Sequence, residues 1–164
     1  MGSRSLERLE KLGRERGRGP VFRVGSRCII CRKGRILVQK AEGEDYYRLP
    51  GGRLEGFETL EQCVRREMIE ELGVDVDILG LAFINENFFW RRGKLYHEIM
   101  FYYNCRIRGE PNFAKIPGLL FEWKRIDELV GNFRPKALLS LIKIIVERGP
   151  RSFCNKYILT VDEI

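Results

Sequence analysis

Residues 51–74, GGRLEGFETLEQCVRREMIEELGV, are the stretch from which the rest of the chain can be interpreted. The stretch opens with two glycines, which are typical of sharp turns that need positive φ angles. Thr59 and Gln62 then have the spacing of a capping box, which marks the start of a helix. Gly73 has the position of a residue that ends one. We therefore predict a glycine loop that leads into a helix at about residues 60–72.

The predicted helix carries three glutamates on one side. Glu67, Glu70 and Glu71 stand at positions i, i+3 and i+4, which share a helix face. Like charges at this spacing repel one another, and the repulsion grows as they lose water. A hard divalent cation removes that repulsion, and oxygen-only ligands favour magnesium or manganese over zinc. The alternative is an acidic helix face in solvent, but the ordered glycine loop and caps around the glutamates favour a metal site.

The same stretch resembles the Nudix box. That pattern runs glycine, five residues, glutamate, seven residues, Arg-Glu, an aliphatic, any residue, Glu-Glu, any residue, glycine and an aliphatic. The residues in register with it are Gly52, Glu58, Arg66, Glu67, Met68, Glu70, Glu71, Gly73 and Val74. An aromatic-x-Leu-Pro-Gly-Gly approach at residues 47–52 extends the resemblance upstream.

The resemblance implies an α/β fold, the Nudix α/β/α sandwich around a mixed β-sheet. It also implies Mg²⁺-dependent hydrolysis of a phosphoanhydride bond in a nucleoside diphosphate linked to another group, with Mn²⁺ as a substitute ion. By the same resemblance, Glu67, Glu70 and Glu71 would hold the metal, and the carbonyl of Gly52 would complete its coordination. Glu58 would either bind metal or pair with Arg66, and in the second case Arg66 would orient Glu67.

The general base is not fixed by the resemblance, since family members take it from a box glutamate or from an acid outside the box. Glu67, Glu70 and Arg66 are therefore counted among the catalytic candidates. Two further candidates are Glu98 on a predicted strand and Glu122 before Trp123. A surface strand residue and a sheet-edge charge explain Glu98 and Glu122 equally well.

Composition bounds the partners of the protein. The chain has 164 residues, enough for one domain with a core, and a net charge of +7 that favours phosphate-bearing partners, either nucleotides or RNA. Its five cysteines are an odd number, which fits a reducing compartment. No apolar run reaches transmembrane length and the first residues lack the apolar segment of a signal peptide, so we expect a cytoplasmic protein without a membrane partner. The oligomeric state is left open, a homodimer included.

We expect residues 1–20 to form a basic leader with a short helix, and residues 21–164 to form the hydrolase domain. A loop at residues 108–119, rich in glycine and proline, is expected to overhang the site. The remaining predicted elements are strands at 28–31, 36–39, 75–90, 95–106, 121–126 and 153–161, with a bulge near Gly80, and a second helix at 135–147.

The glycine loop departs from the family pattern at one position. Many members have glycine just before the residue equivalent to Glu58, whereas this chain has Phe57 there. Phenylalanine does not easily enter the left-handed region that glycine uses. We therefore expect the loop to take a different path near Glu58.

The sequence does not select the substrate. Residues 88–92 lack the proline and tyrosine that mark the ADP-ribose and dinucleoside-polyphosphate subgroups, so a nucleoside triphosphate, oxidised or not, is the default. Two alternatives remain open: an RNA 5′-end pyrophosphohydrolase, and a catalytically silent module that binds nucleotides. Four arginines are candidates for binding phosphate, but we expect them to be solvated surface residues: Arg23, Arg48, Arg91 and Arg92.

Overall fold

A computed structural model describes residues 19–149 and 156–162, together with Glu7 and Lys11, so most of the expected leader lies outside the described residues. No helix in these ranges is long and apolar enough to cross a membrane. The elements are β1 (Val21–Arg32), β2 (Arg35–Ala41), β3 (Gly51–Arg53), α1 (Leu60–Leu72), β4 (Asp75–Arg91), β5 (Lys94–Arg108), β6 (Leu119–Lys124), α2 (Leu139–Arg148) and β7 (Lys156–Asp162).

The strands form one mixed sheet in the order β6-β2-β1-β5-β4-β7, and β3 pairs with β1. The β1–β5 and β4–β7 pairs are parallel, and the other pairs are antiparallel. Successive strand residues face opposite sides, so Ile29 packs in a core cluster with Ile142 of α2, while Ile30 packs in a second cluster with Met68 of α1. The two helices therefore cover opposite faces of the sheet, and the predicted α/β/α sandwich is confirmed.

Helix α1 has the predicted bounds and caps. The Thr59 hydroxyl accepts a hydrogen bond from the Gln62 backbone N–H at 3.2 Å, and the Thr59 N–H donates to the Gln62 side chain at 2.7 Å. Gly73 ends the helix in the left-handed conformation, with φ of 71°. These contacts join residues close in sequence, which is why the sequence pattern locates this helix so well.

Strand β1 is much longer than the predicted strand at 28–31. Its first half has no apolar alternation, but residues 21–30 pair with β5, and Gly25 pairs with Arg53 of β3. A Cβ at Gly25 would lie 2.2 Å from the carbonyl oxygen of Gly52, so only glycine permits this close approach. Pairing with segments distant in sequence, rather than local pattern, extends the strand.

The remaining elements follow the predictions with small shifts. The β4–β5 register slips between Ile78 and Gly80, which confirms the predicted bulge. Strand β6 lies two residues earlier than the prediction of 121–126. The second helix begins as a 3₁₀ turn at Lys136–Leu138 and continues as α2, while β7 falls within the predicted 153–161 except for its last residue.

The expectation that residues 108–119 overhang the site is wrong. The loop packs against the end of α1, where Asn112 N–H donates to the carbonyl of Leu72 at 2.9 Å and the Lys115 ammonium donates to the carbonyl of Ile69. It thereby pairs carbonyl groups that a helix C-terminus leaves without intrahelical partners. No residue of this loop lines the cavity described below.

The prediction that Phe57 would avoid the left-handed region is also wrong. Its φ is 66°, and its side chain is fully exposed. Glu58 still reaches back to accept a hydrogen bond from the Glu55 backbone N–H at 2.7 Å. The left-handed conformation costs a non-glycine residue about 1–2 kcal/mol of free energy, and the exposed ring of Phe57 does not offset this cost by burial.

Replacing Phe57 by glycine is expected to stabilise the protein. Phe57→Gly should raise the free energy of unfolding by roughly 0.5–1 kcal/mol, because relief of the left-handed strain exceeds the entropy that glycine adds to the unfolded chain. Urea denaturation measures the change. Phe22 is the matched control, since it is 57% exposed on extended backbone in β1, so that Phe22→Gly should destabilise. Equal destabilisation by both variants would contradict the claim that the left-handed backbone of Phe57 is strained.

Candidate active site

A cavity of about 360 Å³ lies where β1, β3, β4, β5 and α1 meet. Acidic and basic side chains both line it, and the arginines outnumber the glutamates. Among the described residues the charged lining consists of Glu67, Glu71, Glu98, Arg23, Arg27, Arg48, Arg53, Arg91 and Arg134. A concave site with this surplus of guanidinium groups is suited to an anionic ligand.

The two glycines of β3 bring its backbone against the carboxylates of α1. A Cβ on Gly51 would lie 2.3 Å from the carbonyl oxygen of Ser26, and a Cβ on Gly52 would lie 2.1 Å from Oε1 of Glu67. Neither position therefore tolerates a larger residue without displacement of its neighbour. The Gly51 N–H donates a hydrogen bond to Glu71 at 3.3 Å, so the loop and the helix are joined at the cavity.

Glu67 and Glu71 are carboxylates held together away from water. Glu71 is only 8% exposed. Burial, followed by the nearby charge of Glu67, raises the pKa of Glu71 to about 7. Burial also raises the pKa of Glu67; the hydrogen bond and charge of Arg66 oppose that rise most, and the guanidinium of Arg27 opposes the rise at both residues. The pair is therefore short of positive charge when both groups are ionised.

Arg66 ties the glycine loop to the helix. Its Nε and Nη2 donate to the two oxygens of Glu58 at 3.0 and 2.8 Å, and Nη2 also donates to the carbonyl of Arg53 at 2.9 Å. Nη1 contacts Glu67 at 3.1 Å and Glu70 at 3.2 Å. The hydrogen bond from Arg66 lowers the pKa of Glu58 to about 2. Of the two roles considered for Glu58, metal binding and pairing with Arg66, the observed contacts are those of the pairing.

The donor set of the site fits a hard divalent cation. Glu67, Glu70 and Glu71 supply carboxylate oxygens, and the Gly52 backbone lies against Glu67. In the described part of the chain, no three acidic, histidine or cysteine side chains are arranged to hold an ion as they stand. Arg66 instead contacts Glu67 and Glu70. An ion bound there would replace those two contacts and leave the bidentate pair of Arg66 with Glu58.

The two general-base candidates outside the box have different surroundings. Glu98 lines the cavity and accepts from Arg23 at 3.3 Å, and the Arg23 guanidinium also lies 4.3 Å from the centre of the Tyr96 ring. Glu122 is not among the cavity residues. It accepts from the Tyr47 hydroxyl and lies 3.4 Å from the Lys124 ammonium. The structure thus brings Glu98 to the site and leaves Glu122 outside it.

The expectation that the arginines are plain surface residues is wrong for Arg23, Arg48 and Arg91, which line the cavity. Arg92 is exposed in a turn, as expected. Sequence reasoning also missed several cavity residues: Arg27, Gln39, Asn85 and Asn87. The amides carried a signal, because Asn85 and Asn87 occupy every second position between the apolar residues Phe83 and Phe89. A buried polar side chain at such a position needs partners.

Comparison with known proteins agrees with this geometry. The model of the NUDIX domain matches residues 21–142, and β7 lies beyond the match. The 8-oxo-dGTP diphosphatase of Buchnera aphidicola subsp. Schizaphis graminum (strain Sg) is 29% identical over 106 residues, 62% of this chain and 75% of that protein. The RNA pyrophosphohydrolase of Haemophilus influenzae (strain PittEE) is 30% identical over 82 residues, 49% of this chain but only 41% of that protein.

Solved structures show the same fold. A MutT NUDIX hydrolase from Burkholderia pseudomallei superposes with a TM-score of 0.64 at 27% identity, over 76% of this chain and 98% of that one. A MutT protein from Bacillus halodurans gives a TM-score of 0.64 at 21% identity, over 86% and 89% of the two chains. Since the family match spans the loop, the helix and the six strands from β1 to β6, this chain belongs to the Nudix family and is a Nudix hydrolase.

Proposed function

We propose that the protein is a Mg²⁺-dependent pyrophosphohydrolase that cleaves a phosphoanhydride bond in a nucleoside diphosphate linked to a second group. The observation that carries the proposal is the pair of carboxylates, Glu67 partly buried and Glu71 buried, at one side of an arginine-lined cavity. A divalent cation supplies the positive charge that the pair lacks, and the arginines suit the phosphates of a nucleotide. Mn²⁺ has the same preference for oxygen ligands and would serve as a substitute.

Each residue of the proposed site has a distinct task. Glu67, Glu70 and Glu71 would hold the ion with the carbonyl of Gly52, and a bound Mg²⁺ shields phosphate charge and lowers the pKa of bound water. Arg66, anchored by both oxygens of Glu58, holds the loop on the helix and limits where Glu67 can move.

The arginines of the cavity, among them Arg23 and Arg91, would bind and orient the phosphates. Among the base candidates, Glu98 is favoured over Glu122 because it lines the cavity, so a water in the cavity can give its proton to the Glu98 carboxylate. A box glutamate remains an alternative base.

The names of the relatives bear on the substrate. One is a diphosphatase of an oxidised nucleoside triphosphate, which supports a nucleoside triphosphate as substrate here. A second candidate is the 5′ end of RNA, favoured by the relatives named RNA pyrophosphohydrolase and by the net charge of +7. We also propose the division into a leader at 1–20 and a hydrolase domain at 21–164, and a cytoplasmic location.

Glu70→Gln is expected to lower kcat by about 100-fold or more in Mg²⁺, because it removes an anionic ligand without changing the shape of the helix. The measurement is turnover of a broad panel of nucleoside diphosphate derivatives, with phosphate and pyrophosphate products distinguished. Glu61→Gln is the matched control, since Glu61 is an exposed glutamate in the first turn of the same helix. If the wild type binds nucleotides but forms no metal-dependent product, the protein is a silent binding module instead.

Glu71→Gln tests the charge deficit without any turnover. The pKa of Glu71 is about 7 in the folded protein against an ordinary 4.5, so the metal-free protein loses stability as pH rises through that interval. At pH 8 in a chelator, the free energy of unfolding of Glu71→Gln should therefore exceed that of the wild type by up to about 3 kcal/mol. The variant should accordingly have the higher melting temperature. Added Mg²⁺ should raise the melting temperature of the wild type and not of the variant. The proposed site is wrong if both proteins respond equally to Mg²⁺.

The RNA candidate predicts a role for the basic leader. Removal of residues 1–20 should weaken hydrolysis of a 5′-triphosphorylated RNA oligonucleotide while leaving hydrolysis of ATP unchanged. The reason is that RNA, unlike ATP, has further phosphates outside the cavity that a basic leader can bind. Activity on both substrates is compared at two salt concentrations. Unchanged RNA activity after truncation would remove this candidate role.

A further inference from the structure

Asn85 has an amide group whose orientation is fixed by its neighbours. The residue is 1% exposed on β4 and lines the cavity. Its Nδ2 donates to the carbonyl of Ile158 at 3.0 Å and to the hydroxyl of Thr160 at 3.0 Å, both on β7. A carbonyl oxygen can only accept, so the atom facing Ile158 must be the nitrogen of the amide.

The oxygen of the same amide is turned away from β7 as a consequence. Oδ1 of Asn85 is buried and finds no hydrogen-bond partner among the described residues. An unsatisfied buried acceptor costs about 1–3 kcal/mol. A donor that enters the cavity from outside the chain would remove that cost.

Thr160 keeps the amide in this orientation. Its hydroxyl accepts from Asn85 and donates to Oδ1 of Asn87 at 2.7 Å, so its single proton points to Asn87. Thr160 is 6% exposed, and its strand β7 lies outside the residues 21–142 that match the NUDIX domain. The orientation of Asn85 thus depends on a segment that the family match does not include.

We propose that Asn85 is a specificity-determining residue whose Oδ1 accepts a hydrogen bond from an amino group on the base of the nucleotide substrate, with Thr160 as its positioning residue. This inference rests on the proposed function, because it assigns the base end of the same site. An amide oxygen repels phosphate oxygens, so the ligand group beside it must carry an N–H or O–H donor.

The position of Asn85 in the sheet favours the base over the sugar as the donor. Strands β3, β1, β5 and β4 are successive neighbours, so three spacings of about 4.8 Å, roughly 14 Å in all, separate β3 from β4. If the phosphates lie near Gly52 and Glu67, the sugar attached to them lies closer to β3 than to β4. Of the parts of the nucleotide, only the base then extends as far as Asn85 on β4. Met100 pairs with Asn85 in register and also lines the cavity, which gives a flat ring an adaptable apolar surface.

The experiment compares substrates that differ by one amino group. The pairs are ATP with purine riboside triphosphate, GTP with ITP, and CTP with 2-pyrimidinone riboside triphosphate. A site that leaves a buried acceptor unpaired rejects the analogue, so wild-type kcat/KM should differ by about 10-fold or more in at least one pair. Asn85→Leu should bring that ratio to within about 3-fold of one.

Asn104→Leu is the matched control. Asn104 is a fully buried asparagine of β5 that does not line the cavity, so the same substitution there should leave the ratio unchanged. Thr160→Val should lower the ratio because it removes the hydroxyl that holds Asn85, and Thr160→Ser should restore it. These two variants keep the inference testable if Asn85→Leu does not fold.

Three results would overturn the inference. The first is a ratio that Asn85→Leu leaves unchanged, which would mean that solvent satisfies Oδ1. The second is an equal loss in Asn104→Leu. ATP and dATP are compared as an additional pair, and the third result is an effect of Asn85→Leu confined to that pair, which would assign the donor to the sugar. Affinities of non-hydrolysable α,β-methylene analogues of the same pairs separate the two proposals. An Asn85-dependent amino-group preference in binding without any hydrolysis would overturn the proposed function and support this inference.

Discussion

The packing of two carboxylates against a glycine backbone is the constraint on which the rest of the site depends. Glu67 lies so close to Gly52 that no side chain fits between them, and Glu71 accepts a hydrogen bond from Gly51 while nearly enclosed. Burial raises the pKa of both groups, so the arrangement is unfavourable without added positive charge. This shortage of positive charge is the observation on which the proposed cation site rests.

The ion pair of Arg66 with Glu58 holds the glycine loop and the helix α1 in this arrangement. Their two hydrogen bonds link the loop before α1 to the middle of the helix, and the Arg53 carbonyl adds a third contact. The loop accepts a left-handed phenylalanine to keep Glu58 in reach, because the ionic pair and the capping box together determine the path of the backbone. Strain of this kind persists only where the surroundings over-determine the conformation.

The opposite end of the cavity has a different character. Arg91 and Arg48 both contact Glu44, and Asn85, Asn87 and Thr160 form a directed chain of hydrogen bonds. In the proposed site, the chemistry and the recognition of substrate would therefore lie on separate strands. The acidic end uses the box residues and β3, whereas the recognition end uses β4 and the strand β7 beyond the family match.

The sequence by itself determined the helix α1, its caps, its three glutamates and the chemical class of the site. Each of these rests on residues of the one continuous stretch 51–74, so local spacing carries the information. Only the tertiary structure decided the length of β1, the entry of Arg23 and Arg91 into the cavity, and the exclusion of Glu122. Those outcomes depend on strand register between residues far apart, as between Arg23 and Glu98, and a shift of one residue would turn each side chain to the other face.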